Sequence, residues 1–515
     1  RIMGEPITAT IPIGQDRLDS HDSAAVALAS APRSISGAAS GPRAVSTADD
    51  AQISNSEVVL ALVKCAIGAG SLSLPYAFKE GGLWFSLIGT VLIGMLSAYT
   101  IILLKQCEEA VGLKLLAEGQ IDGKGRSISA ASGNGGFVKA LSPPLLGPED
   151  FNIDPIVNVE SLAFNVDPIV PVAPRTKLMY PEVAAGAMDG AVAKSVMKGV
   201  VNVGICLTSL GVCAAYLDFL AATLPQVLGP LLGPDFGELE ATLMVLPVML
   251  VLVLLRTFKV LSFTAILGDI AVTVALLAVV VYGFATRDID LSLPFINIKS
   301  LMKFVGATSF LFAIHIVVLP ILHASKSPQS FAKNISTSFS FITGLNAIFG
   351  FLAYALFADD VAPAVTDNLD GGSDATQATL NAVKVLLCVD LLFTVPFVFV
   401  AGREIVEREV LSRFRDGERT TSVMHIRNTV RIALLGCVVA ICFGVPCFGD
   451  MVNLVGGVVN ATMGFILPPI LALKLFPCMS LFATIGHVLI LVFGVTALVL
   501  TLFFTAQDLA DPNHS

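Results

Sequence analysis

Two stretches of this sequence place chain-loosening residues inside apolar runs. The first is Lys64-Cys65-Ala66-Ile67-Gly68-Ala69-Gly70-Ser71-Leu72-Ser73-Leu74-Pro75, and the second is Phe310-Leu311-Phe312-Ala313-Ile314-His315-Ile316-Val317-Val318-Leu319-Pro320. Glycine and proline weaken a helix by opposite means, one by freedom of the backbone and the other by removing an N–H donor. In each stretch a Leu-Pro pair ends five residues after a flexible or polar point, Gly70 to Pro75 and His315 to Pro320. Peptide groups freed within hydrocarbon are tolerated only where they line a cavity. Half-helix N-termini offer N–H donors to a carboxylate, and facing carbonyls accept from an amine. That chemistry suits a zwitterion. Taken alone, the first stretch is explained equally well by close helix packing through small residues. A matching interruption in the second half of the chain is the stronger pointer to a binding site.

The other groups able to do chemistry are ionisable residues in apolar surroundings: Lys64, Asp218, Asp269, Asp390 and His315. A lone charge at a membrane helix centre costs roughly 2.5–3.5 kcal/mol, so each needs a partner, a wet cavity or neutralisation. Lys64 can stand in for a bound cation and exchange a proton once buried, or it can snorkel to the inner interface as an anchor. Asp390 precedes Thr394 by four residues, so the two share a helix face, and Asp390 is a candidate proton carrier. His315 changes charge near neutral pH as an imidazole, or its ring satisfies backbone groups opened beside the break. His487 reads as structural.

The elements that must hold these residues are apolar helices. The chain has 515 residues, 55% hydrophobic and 14% charged, with a mean hydropathy of +0.82. Soluble domains carry about 25% charged residues; this chain has too few to coat a water-soluble enzyme of its length. Hydrophobic stretches at 58–78, 83–104, 196–217, 241–255, 260–285, 304–322, 337–358, 382–401, 432–448, 451–473 and 481–505 predict an all-α polytopic membrane protein with about eleven transmembrane helices. Most of them reach the roughly 20 residues needed to cross about 30 Å of hydrocarbon. They are too long for barrel strands.

Loop charges give the orientation. Segments 229–240, 359–378, 447–450 and 506–515 hold no Lys or Arg, whereas Arg256, Lys259, Lys326, Lys333, Arg403, Arg408, Arg413, Arg415, Arg419, Arg427 and Lys474 fall in the alternate connections. The positive-inside rule then places the N-terminus in the cytoplasm and the C-terminus outside. Residues 1–55, rich in Ala, Ser, Gly and Pro, read as a disordered cytoplasmic tail, and 106–195 as a mostly disordered cytoplasmic insertion. The helical domain runs over 56–505 and an outward end over 506–515; if the chain is built from two five-helix repeats, they fall at about 57–285 and 302–474, with an extra helix at 481–505. Nine cysteines form no spaced framework, so neither a disulfide scaffold nor a metal site is indicated. No basic patch with interleaved aromatics suggests nucleic acid.

Four blocks carry a family resemblance: GAGSLSLPYAF at 68–78, HIVVLPI with KSP at 315–328, FTVPFVFV at 393–400, and VPCFGDMVNLVGG with FILPP at 445–469. Over about residues 56–505 the chain resembles the amino acid/auxin permease family. The resemblance implies a LeuT-like fold of two inverted five-helix repeats plus an eleventh helix. It implies secondary active transport of amino acids by alternating access, with no covalent chemistry, no organic cofactor, and a small-molecule amino acid and the lipid bilayer as the partners. Carried over, the substrate's carboxylate and amine meet the backbone at Ile67, Gly68, Ala69, Gly70, Phe312 and Ala313. Pocket walls come from helices three, six and eight, with Val203, Leu207 and Phe310 as candidates. Asp269, on the fifth helix, neighbours the first in that fold and is a candidate partner for Lys64. Thr394 matches a threonine that helps hold sodium in the sodium-coupled branch. Where that branch has an asparagine on helix one, this chain has Lys64, which resembles the helix-one lysine of the proton-coupled amino acid transporters. This departure favours co-transported protons over sodium. Sodium coupling, and an amino-acid-sensing receptor using the long insertion, are the alternatives; the membrane is the plasma membrane or a vacuolar or lysosomal one. The oligomeric state is not legible from the sequence.

Overall fold

The computed structural model describes residues 53–119, 177–233, 235–254, 259–369, 374–412, 420–445 and 448–510. Among these residues the chain is helical with no β-strand; an isolated bridge joins Ile53 to Ser325.

The first half begins with α1 (Asn55–Ala66). A capping box starts it: Ser54 Oγ accepts from Glu57 N at 3.4 Å, and Glu57 Oε2 accepts from Ser54 N at 2.6 Å. Val58, Leu62 and Ala66, spaced at four, bury one face. The helix stops at Ile67 and Gly68, both extended, and resumes as α2 (Ala69–Gly81), with the two axes bent by 53°. α3 (Leu83–Ala117), α4 (Tyr180–Gly186), α5 (Ala191–Leu232), α6 (Glu238–Leu254) and α7 (Lys259–Thr286) follow.

The second half repeats the interruption. α8 (Leu301–Leu311) and α9 (His315–Ala324) are separated by Phe312–Ile314, where Ala313 N bonds Phe310 O at 3.0 Å and Ile314 N bonds Phe312 O at 2.9 Å. Pro75 is the seventh residue of α2 and Pro320 the sixth of α9, so each half-helix loses an i→i−4 bond at a similar depth. α10 (Phe331–Phe357), α11 (Asp374–Ser412) and α12 (Thr420–Gly444) come next. α13 (Phe448–Leu454) then runs through a π-helical stretch, Val455–Ile466, into α14 (Leu467–Leu475), and α15 (Leu481–Ala510) ends the described chain. Twelve π-helical residues are many, since π turns usually appear singly and at functional positions.

Each of the eleven apolar stretches coincides with one of these helices or helix pairs. Among the described residues, eight helices are long and apolar enough to cross a membrane, or nine with the bent pair α1–α2 counted as one span. α6, at 17 residues, reaches about 26 Å and falls just short of the hydrocarbon thickness; the apolar part of α7 described at Ile270–Thr286 is likewise short. The protein is an integral, multi-pass membrane protein. Several helices overrun the predicted stretches, α5 with 42 residues and α11 with 39. The predicted insertion narrows at both ends: 106–117 continue α3 and 180–186 form α4, while 120–176 lie outside the described residues, as do 1–52 of the predicted tail.

Along α5, Val196, Val200, Val203 and Leu207 recur at helical spacing and are exposed, while Val201, Gly204, Ile205, Thr208 and Ser209 are buried. An exposed apolar stripe on a helix of this hydropathy is a lipid-facing surface.

Candidate functional site

The interruptions of α1–α2 and α8–α9 meet. A β-carbon on Gly70 would stand 3.0 Å from Phe310 Cδ1 and 3.2 Å from Cε1, so the Phe310 ring lies directly over the glycine. From the other side, Gly456 in the π-helical stretch rests on the Gly306 carbonyl and the Phe310 N–H, leaving no room for a β-carbon. Only glycine permits such backbone approach. Ser71 N bonds Gly68 O at 2.9 Å, and Ser73 Oγ donates to Gly70 O at 3.0 Å. These bonds take up part of what the break frees. The first-turn N–H groups of α2 and α9 are those that helix geometry leaves without an intrahelical acceptor. They carry the positive ends of two helix dipoles.

Of the predicted backbone positions, Ile67 and Gly68 form the first break and Phe312 and Ala313 lie in the second, with Ala69 and Gly70 opening α2. The Phe312 side chain is fully buried and stacks on Phe339 of α10 at 5.9 Å, so only its peptide groups face the break. Phe310 is buried at the junction. Val203 and Leu207 are 58% and 49% exposed, on the apolar stripe of α5.

A second group gathers around Gly68. The Tyr216 hydroxyl of α5 lies 3.7 Å from the place of a Gly68 β-carbon. The same phenol is buried and within Coulombic reach of Asp390 on α11 and Cys65 on α1. Thr394 Oγ1 donates to Asp390 O at 2.9 Å and reaches its Oδ1 at 3.5 Å. Asp390 and Thr394 are thus on one face, as their spacing requires, with the threonine hydroxyl engaged within its own helix. Lys64 is half-buried in the last turn of α1, where a cation favours the negative end of the helix dipole. The Asp269 side chain lies outside the described residues.

His315 opens α9, is 1% exposed, and shares a 2.9 Å hydrogen bond between its Nε2 and Thr100 Oγ1 of α3. Its ring abuts Gly464, where a β-carbon would lie 2.9 Å from Cε1. Asn460 of the same π-helical stretch donates to Ser309 O. His487 of α15 pairs with Tyr99 Oη at 2.9 Å, the structural role expected of it.

Four polar side chains were missed by sequence reasoning. Tyr216 sits in an apolar run where nothing marks its hydroxyl as inward. Tyr180 of α4 donates to Met463 O at 2.6 Å, one residue from the Gly464 contact with His315. Its own stretch reads as insertion, yet a Tyr-Pro-Glu start was a legible helix signal. Glu108 and His323 form a buried pair at 3.0 Å between α3 and α9; a carboxylate in the tail of an apolar run, with an imidazole elsewhere, offers no pairing signal in one dimension.

Among the described residues the chain is helical and multi-pass, and two interrupted helices meet at Gly70 and Phe310, an arrangement found at transporter binding sites. The family described as transmembrane amino acid transporter protein matches residues 51–118 and 171–507, and the chain belongs to it. That membership places the protein among transporters and not enzymes. It is similar to amino acid transporter AVT3B of Arabidopsis thaliana, 28% identical over 295 residues that cover 54% of this chain and 66% of that one. Amino acid transporter ANT1 of the same plant is 24% identical over 79% of this chain and 81% of its own. Vacuolar amino acid transporter 3 of Schizosaccharomyces pombe is 22% identical over 82% and 53%. The match to AVT3B thus spans about two thirds of that relative's length.

Proposed function

We propose that this protein carries amino acids across a membrane by alternating access, coupled to protons. The observation that carries the reading is the meeting of two interrupted helices, at Ile67–Gly68 and Phe312–Ile314, across Gly70 and Phe310. The α2 and α9 N-termini take the substrate carboxylate, carbonyls at the ends of α1 and α8 take the amine, and Tyr216 and Phe310 bound the pocket. This recognises only the α-amino and α-carboxylate groups, so side-chain preference rests on the walls. Names of relatives support amino acids as the substrate class.

The arrangement that accounts for paired breaks is two inverted five-helix repeats plus α15, eleven spans in all. Loop charge supports a cytoplasmic N-terminus. Arg287, Lys299 and Lys303 run against the rule, but Arg287 is neutralised by Asp360 at 2.6 Å. A vacuolar-type membrane suits the fission yeast relative. Proton coupling rests on Lys64 in place of a sodium ligand, with Asp390 within reach of the same break. Sodium coupling through Thr394 is the alternative: its hydroxyl donates to Asp390 O and keeps its oxygen lone pairs for a cation.

Radiolabelled amino acid uptake into proteoliposomes under imposed pH or sodium gradients tests this. Accumulation driven by a pH gradient is expected. Accumulation driven by sodium at equal pH overturns the coupling, and binding without flux overturns transport in favour of a receptor.

A further inference from the structure

Where α6, α11 and α12 pack together, one carboxylate faces three guanidinium groups. On the orientation read from loop charge, this is the cytoplasmic end of all three helices. Glu407 of α11 accepts from Arg431 Nε of α12 at 2.7 Å, while Arg403 Nε stands 3.7 Å away and Arg427 Nε 3.8 Å. Arg431 Nη1 also donates to Leu254 O at 3.2 Å, and Arg403 Nη1 to Val253 O at 3.5 Å, both at the end of described α6. Arg403, Glu407 and Arg431 are buried, and Arg403 Nε has no hydrogen-bond partner. The Arg427 side chain, by contrast, is 50% exposed.

A guanidinium stays charged at any biological pH and carries five donors. Glu407 balances one of the three charges here, and two remain side by side in partly dry surroundings. Neighbouring carboxylates do not make up the difference. Glu404, within Coulombic reach of Arg403, and Glu409 are exposed to water, and Glu182 of α4 is taken by Arg408 at 3.8 Å. Charge withdrawn from water is kept only where counter-charge reaches it. The same place has an apolar flank. Val251 of α6 is 61% exposed, Ile432 of α12 51% and Met424 39%, each within one turn of Leu254, Arg431 or Arg427. A cationic notch bordered by exposed apolar side chains fits an amphiphile, with its phosphate on the arginines and its acyl chains along the helices.

We propose that Arg427, backed by Arg403 and Arg431, holds the phosphate of an anionic phospholipid of the cytoplasmic leaflet at the junction of α6, α11 and α12. Arg427 is the exposed member and makes the first contact; a guanidinium fork meets phosphate oxygens in pairs. The bound phosphate supplies the negative charge that Glu407 alone cannot. It also ties the inner end of α11, the helix that carries Asp390 and Thr394, to α6 and α12. A free phosphate offers the same charge but has nothing to lay against the apolar flank. The site rests on the orientation proposed above and on no step of the transport cycle.

The test titrates dioleoyl phosphatidic acid, whose headgroup is a bare phosphate, into the full chain in detergent, and native mass spectrometry counts the bound lipids. The first lipid is expected to bind more tightly than the second. Arg427→Gln should weaken that first step by about ten- to a hundredfold, the scale of a hydrogen bond to a charged group. Lys474→Gln, at another inner base, should leave it unchanged. Equal first and second affinities in the parent, or a first step untouched by Arg427→Gln, overturns the assignment. Dioleoyl phosphatidylcholine carries no net charge, and its binding as tightly as phosphatidic acid would overturn the need for an anion. Inorganic phosphate in large excess should not displace the lipid; displacement would make the occupant a free phosphate and overturn the lipid. Where Arg427→Gln does not fold, the parent carries the test through phenylglyoxal labelling of its arginines. Phosphatidic acid should slow labelling of Arg427 severalfold more than that of Arg408, which is 58% exposed, and equal slowing of the two overturns the proposal. Since no flux is measured, failure here is distinct from failure of the transport reading.

Discussion

Phe310 covers Gly70: its Cδ1 stands 3.0 Å from where a β-carbon would be on residue 70. Two helices that are interrupted far apart in sequence thereby share one interruption in space. The freed peptide groups face each other across a single phenyl ring.

Gly70→Ala puts a methyl group into the Phe310 ring. Overpacking of this kind costs about 1–3 kcal/mol, and here it falls on the site itself. Initial uptake in proteoliposomes is expected to drop about tenfold, and the thermal midpoint of the purified protein to fall by a few degrees. Adding Phe310→Leu should restore part of the rate. Parent-level uptake by the single variant would show that the ring does not guard the site.

Tyr216→Phe removes only the hydroxyl beside Gly68. A hydrogen bond to a charged group of a zwitterion contributes about 1.5–3 kcal/mol net, so KM for uptake is expected to rise roughly ten- to a hundredfold at constant folded yield. The same KM in the variant and parent would return Tyr216 to a packing role.

Lys64→Asn exchanges the ammonium for the side chain found in the sodium-coupled branch. Accumulation driven by a pH gradient should fall, while substrate exchange between loaded vesicles persists. Asp390→Asn should impair the same accumulation. Proton-driven uptake unaffected by Lys64→Asn would leave the lysine as an interface anchor.

Asp189, just before α5, accepts from Lys474 Nζ at 3.1 Å and from Lys114 Nζ at 3.2 Å. The two lysines, Lys474 foremost, hold its carboxyl below the ordinary range. A lowered value in the fold means that this support is present above the unfolded carboxylate range and is lost as pH falls through the folded value. Asp189→Asn should therefore lower the thermal midpoint slightly at neutral pH and not at about pH 3. The site is exposed, so high salt should shrink the difference. A deficit independent of pH would refute the pairing as its origin.

Much of the fold was written along the chain. Length and hydropathy of the apolar stretches were enough to place the long helices, though not α4, because a membrane span must satisfy its own backbone within about 20 residues. The interruptions were legible as well: Gly68, Gly70 and Pro75, and His315 with Pro320, weaken a helix by local chemistry that needs no partner. Asp390 and Thr394 share a face by spacing alone, and they do so in the structure. The overruns of α5 and α11 were not legible, since water-exposed helix ends carry no hydropathy signal.

What the sequence determined by itself was where helices form and where they fail, both being properties of a few neighbouring residues. Which side of each helix faces lipid was left to the tertiary structure. It turned Val203 and Leu207 outward and brought Tyr216 to Gly68, because an inner surface exists only once other helices surround it. Packing also decided that Phe310 meets Gly70, that Asp367 reaches Lys384 through Gln226, and that Glu108 finds His323. Each joins residues more than 140 positions apart at one end or both, and no local rule couples groups at that distance until the chain has folded them together.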